Sequence, residues 1–159
     1  MQSIEEILRE KQDVKGGIIS YAQYISLKNA LAEEKEEVQL MQDILEALHG
    51  EVEIKPKDYL NENLQLYIKE IAEGLSFWAE QEKEKLNIEP TAEQIRAGVK
   101  EYSEKVGVAG TIYALARQFK IDPDVILQWQ WAKVFGILYA DVEQYKYTER
   151  FNKIINSKG

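Results

Sequence analysis

The chain has 159 residues, 45% hydrophobic and 30% charged, with a formal net charge of −8 and no cysteine. This composition suits one globular domain with its own core, and it excludes a disordered chain, disulfides, thiolate metal sites and a cysteine nucleophile. With 28 acidic against 20 basic side chains and no run of Lys and Arg, the chain has no obvious basic face for a nucleic-acid duplex or an anionic membrane, so neither is expected as a partner; a local basic patch stays open, and a neutral or basic protein partner is allowed.

The N-terminal "MQSIEEILRE" is acidic and has no apolar h-region, so it does not read as a signal peptide. No apolar run approaches the roughly 18 residues of a membrane span. A soluble, cytoplasmic protein is expected.

Ser3-Ile4-Glu5-Glu6 has the form of a capping box and predicts a helix over 4–12. Gly16-Gly17 then punctuates the chain. A long helix is predicted over 20–48, because Leu27, Leu31, Val38, Met41, Leu45 and Leu48 follow a 4-7-3-4-3 spacing with Glu34 in the vacant heptad seat. The cluster Glu33, Glu34, Glu36 and Glu37 offers the alternative of two helices meeting near residue 33. His49-Gly50 closes this stretch with glycine at the C-terminal cap.

"GEVEIK" is the one strand candidate, and it is too short to build a sheet alone. Leu64, Tyr67, Ile71, Leu75 and Trp78 stripe a helix predicted over 60–86. "NIEPT" breaks it, and residues 87–91 mark a candidate subdomain boundary. Thr91-Ala92-Glu93-Gln94 is a second capping box, with Ile95, Val99, Tyr102 and Val106 in helical register behind it. Gly107 and Gly110 are expected to frame a turn before the short helix "TIYALARQF". Asp122-Pro123 supplies an N-cap and a first-turn proline. Helix then continues to about Ile155, a restart near Gln130 being the alternative. Its stripe is Leu127, Trp131, Val134, Leu138, Val142 and Tyr145. The expected architecture is a single all-α domain over 1–159, a bundle of five to seven helices framed by 20–48, 60–86 and 130–155.

Chemical motifs are few. Glu46-Ala47-Leu48-His49 matches half of a di-iron carboxylate site, but His49 is the only histidine, so the second half cannot be assembled. A histidine near a helix C-terminus, favoured by the dipole, is the simpler reading. A Ser-His-Asp triad would need the same histidine, and no nucleophile elbow is present. Asp141, between Ala140 and Val142, is the carboxylate in the most apolar context, and it is expected on the solvent side. "GVAG" lacks the lysine and the preceding strand of a phosphate loop. "GTIYALARQFKIDPDVILQW" has the length of a helix-turn-helix, yet its second helix would begin with Asp122 and Asp124, which DNA phosphates repel. No catalytic residue, metal ligand or cofactor is expected, and the protein does not read as an enzyme.

Trp129, Trp131, Phe135, Tyr139, Tyr145, Tyr147 and Phe151 crowd into 23 residues. In one continuous helix the two tryptophans would point about 200° apart. Trp131, Phe135 and Tyr145, with Trp78, are assigned to the core. Trp129, Tyr139 and Tyr147 lie off the main stripe and are the candidate partner-binding residues. Exposed aromatics on this scale mark contact surfaces. The competing reading is that another helix of the same chain covers them.

Two stretches resemble phage proteins. "IISYAQYISLKNALAEEKEEVQLMQDILEALHGE" (residues 18–51) resembles a segment of small phage-encoded proteins. "ALARQFKIDPDVILQWQWAKVFGILYADVEQYKYTERF" (residues 114–151) resembles the C-terminal half of tail assembly chaperones of long-tailed phages and prophages. The resemblance implies a protein of the infected bacterial cytoplasm that binds the long apolar helices of the tape-measure protein and helps recruit tail-tube subunits. That family has no sharp residue motif, so no site is carried over. The alternative from another class is a structural or adaptor protein that forms homo-oligomers through the 20–48 helix.

Overall fold

The structure, a computed structural model, describes residues 1–158. It is all-α. Among the described residues there are eight α-helices: α1 (Ile4–Arg9), α2 (Tyr21–Ala32), α3 (Glu37–His49), α4 (Glu62–Lys85), α5 (Ala92–Arg96), α6 (Val99–Phe119), α7 (Pro123–Gln128) and α8 (Trp131–Ser157). A 3₁₀ turn, Pro56–Leu60, precedes α4. The count exceeds the expected five to seven because two predicted long helices are each divided.

Local chemistry sets the helix starts. Ser3, Ser20 and Thr91 each accept the amide three residues on, and Glu6, Gln23 and Gln94 reach back to the cap amides. Asp122 accepts the Asp124 amide, with Pro123 in the first turn. α1 ends at Arg9, earlier than its predicted limit.

The predicted 20–48 helix breaks between α2 and α3, where Glu33 is extended (φ −110°, ψ 140°). One unbroken helix would stack four carboxylates within two turns, which like-charge repulsion disfavours. In the hairpin, Lys35 instead meets Asp43 at 2.6 Å, and Gln39 donates to the same carboxylate at 2.7 Å. These bonds hold the Asp43 carboxyl below its ordinary range, and the Asp43 contact raises Lys35 above its own. Leu27, Met41, Leu45 and Leu48 of the heptad stripe are buried, while Leu31 and Val38, beside the break, are exposed.

Trp131 anchors the core at 1% exposure. Its indole stacks on Tyr24 (centroids 3.9 Å apart) and on Tyr21 (5.5 Å), and meets Trp78 and Phe135 edge-on at 5.8 and 5.9 Å. Burial, reinforced by Glu82, pushes the Tyr21 hydroxyl up to about 12 and raises Tyr24 as well, so both rings stay neutral. The Trp78 Nε1–H donates to the Val14 carbonyl at 2.8 Å. Gly74 permits this approach of the 13–15 segment to α4, since a Cβ there would lie 2.8 Å from the Lys15 nitrogen. The buried cluster draws on residues from both sides of 87–91.

A second break separates α7 from α8. Trp129 and Gln130 are extended, and this short segment pairs with residues 17–21. The Tyr21 N–H donates to the Trp129 carbonyl (2.8 Å), the Trp131 N–H to Ile19 (2.8 Å) and the Ala132 N–H to Gly17 (3.0 Å). Gln2 pairs likewise with 51–53, which is all the strand character that "GEVEIK" expresses. The expected turn at Gly107 and Gly110 is instead a kink inside α6, confined to Gly107 (φ 52°, ψ −145°).

Candidate partner-binding surface

The inward stripe of α8 runs Trp131, Val134, Phe135, Leu138, Val142, and the core thins along it. Beyond Phe135 the helix is only partly covered. Leu138, Val142 and Tyr145 there face Leu86 and Ile88 from the end of α4, and Thr111 of α6, across a cleft of about 350 Å³. A neighbouring cleft of about 480 Å³ shares Leu138, Asp141 and Thr111 and continues beneath Tyr102 and Val106 of α6. Asp141 sits where the two meet and is exposed. Both clefts are open to solvent; the walls of the smaller are mainly apolar, and the larger adds Ser103, Arg117 and Gln118. Such a surface can hold a row of apolar side chains.

The break at Trp129–Gln130 answers the question of the paired tryptophans. The two indoles flank separate helices, so the 200° relation does not apply. Trp129 is half-buried, edge-on to Phe119 (5.3 Å, 83°), with the Lys133 ammonium 3.9 Å from its ring centroid. Tyr139 stacks on Phe135 at 6.4 Å beneath Lys85, so it caps the edge of the core. Tyr147 is 60% exposed and stacks only on Phe151 (6.1 Å). The three candidate partner-binding residues therefore do not converge on one face.

Trp78, Trp131 and Phe135 lie in the buried cluster. Tyr145, assigned to the core with them, is a correction. It is 36% exposed and forms part of the cleft wall, because α8 has run past the helices that bury its earlier turns. Leu86, Ile88 and Tyr102 join this surface only through the tertiary fold, and no local pattern assigns them to it. Ile154 is legible in the sequence, through the 4-3 spacing of Tyr147, Phe151 and Ile154.

His49 belongs to a different structure. Its Nε2 lies 2.9 Å from the Tyr67 hydroxyl, which accepts the Gln12 N–H at 2.9 Å and so is free to donate to the imidazole. The Gln12 and Gln23 side chains both donate to the Leu48 carbonyl, at 2.7 and 2.9 Å, satisfying the C-terminal end of α3. Burial lowers the His49 pKa, with Glu10 opposing weakly. No helix among the described residues is long and apolar enough to cross a membrane. Comparison of the chain with family models, with curated proteins and with solved structures gives no match.

Proposed function

We propose that the protein is a non-enzymatic binder of apolar helical segments, working as a cytoplasmic tail-assembly chaperone does on a tape-measure partner. The observation that carries this reading is the open cleft along α8, where partly covered Leu138 and exposed Tyr145 flank the buried Val142 and continue the stripe past Phe135, the last α8 residue of the main buried cluster. A guest helix laid there would complete the missing layer, in the manner of helix-in-groove recognition. The acidic shell keeps such a binder soluble while its apolar surface is unoccupied.

The resemblance of residues 114–151 supports the same reading, since that stretch holds α7 and α8 as far as Phe151, including the cleft residues Leu138, Val142 and Tyr145. Self-association through 20–48 draws no such support. Four of its six stripe residues are engaged inside the chain's own hairpin.

The test is co-purification with the tape-measure product of the same genome, using wild type and Ile88→Asp. Ile88 is 38% exposed on the cleft wall, so the variant should fold. Capture by wild type and its loss in the variant are expected. No association with both proteins soluble and folded rejects the proposal.

A further inference from the structure

From Tyr145 to Ser157, α8 is exposed at every position except Lys146 and Glu149. At about 1.5 Å per residue it projects roughly 18 Å past the last buried turn. Two rows run along this projection. Tyr147, Phe151 and Ile154 recur at a 4-3 spacing, with exposures of 60%, 49% and 56%. At about 100° per residue they face away from the inward stripe of Leu138 and Val142. Lys146, Arg150 and Lys153 recur at the same spacing one residue earlier and make a parallel basic row. Glu143 approaches Lys146 at 3.9 Å. Among the described residues, Arg150 and Lys153 have no ion-pair partner. Glu149 lies one turn from both Lys146 and Lys153, so residues 145–157 carry three cations against one carboxylate, a local positive excess in a chain of net charge −8.

We infer that this projecting face is a second docking site, and that its occupant is an acidic amphipathic helix of another protein. The inference rests on the reading of the protein as a helix binder and supplies the charge of the guest. The apolar row offers an aromatic seam, and the basic row beside it matches carboxylates on the flank of an approaching helix.

A second copy fits less well. Antiparallel self-pairing over the apolar row would set one basic row against the other. Parallel pairing would set it against the uncharged flank of Thr148 and Asn152. In neither arrangement does a row of carboxylates face the basic row, since Glu143 already lies 3.9 Å from Lys146 of its own helix. An anionic bilayer would attract the same three cations, but it repels the net charge of the chain.

The experiment uses the full chain and three labelled probes in fluorescence anisotropy: a Leu/Glu amphipathic helix, its Leu/Lys counterpart and an uncharged Leu/Gln helix. Sedimentation and binding to phosphatidylserine-containing vesicles run alongside. Expected is binding of the acidic probe about tenfold or more tighter than the basic one, weakening as salt rises. Charge reversal at Lys146, Arg150 and Lys153 should invert that preference. Tyr147→Ser with Phe151→Ser should weaken the acidic probe without altering the circular dichroism. Equal binding of the charged probes overturns the inference, as does binding of vesicles alone or dimerisation lost on charge reversal. Failure of the cleft reading is separate: it would show as an uncharged probe that does not bind, or whose binding Ile88→Asp leaves intact.

Discussion

Two buried tryptophans with opposite hydrogen-bond status allow a sharp test of the core. The Trp78 Nε1–H donates to the Val14 carbonyl at 2.8 Å, whereas the Trp131 Nε1 is buried with no acceptor among the described residues. Replacing either by phenylalanine removes ring area on the order of 40–50 Å², worth about 1 kcal/mol. For Trp78 a net hydrogen bond of about 0.5–1.5 kcal/mol is lost as well. The Val14 carbonyl stays satisfied there, because it also accepts the Gly17 N–H at 3.0 Å. Trp78→Phe should therefore cost about 2 kcal/mol. For Trp131 the substitution removes an unsatisfied buried donor whose desolvation costs about 1–3 kcal/mol, which offsets the lost area. Trp131→Phe should fall within about 1 kcal/mol of wild type, leaving a gap of about 2 kcal/mol between the variants. Trp131→Ala, which empties the stack on Tyr24, should still cost about 3–5 kcal/mol. Urea unfolding followed by far-ultraviolet circular dichroism measures all three without relying on indole fluorescence. If Trp131→Phe loses as much as Trp78→Phe, the reasoning about the unsatisfied donor is wrong.

Gly17 has φ +70°, and a Cβ there would lie 2.7 Å from Trp78 Cζ2 and 2.8 Å from Ala132 Cβ. Gly17→Ala should cost roughly 3 kcal/mol from left-handed strain and overpacking together, seen as a lower urea midpoint. His49 has a folded-state pKa below its ordinary 6.5. Below about pH 6.5 the unfolded chain takes up a proton that the folded chain resists. Stability should thus fall as pH drops through 6.5 and level off once the folded pKa is passed; His49→Gln should lose this component, measured as the difference between the two urea midpoints at pH 7.5 and 5.5. Gly74→Ala gains helix propensity of about 1 kcal/mol but forces its methyl against the Lys15 backbone. A net loss of stability is expected in the same assay, and a gain would show that the 13–15 segment moves aside freely.

What could be read from the sequence was what neighbouring residues decide. Ser3, Thr91 and Asp122 act within three positions, and their helices begin where those residues predict. The stripe Leu64, Tyr67, Ile71, Leu75 and Trp78 needs only its own period, and all five are buried. The breaks were harder. Glu33–Glu37 signalled the first as an alternative, because charge repulsion is local. The restart near Gln130 was also legible only as an alternative, because the extended Trp129–Gln130 is held by carbonyls and amides of residues 17–21, more than 100 positions away in the chain. Tyr145 shows the limit of periodicity. It keeps the angular register of Trp131 and Val142, but register does not state where the facing helices stop.

The pairing of residues 17–21 with 129–132 has a consequence for the order of events during synthesis. Tyr21 and Tyr24 leave the ribosome about 110 residues before the indole that covers them, an interval of roughly 5–20 seconds at ordinary elongation rates. The α2–α3 hairpin can form early from its own contacts, yet its aromatic face stays uncovered until α8 begins to emerge. Closure of that long loop is then the natural slow phase of folding. A nascent chain halted before Trp131 should show its tyrosines to solvent and to chaperones. One extended past Ala132 should hide them.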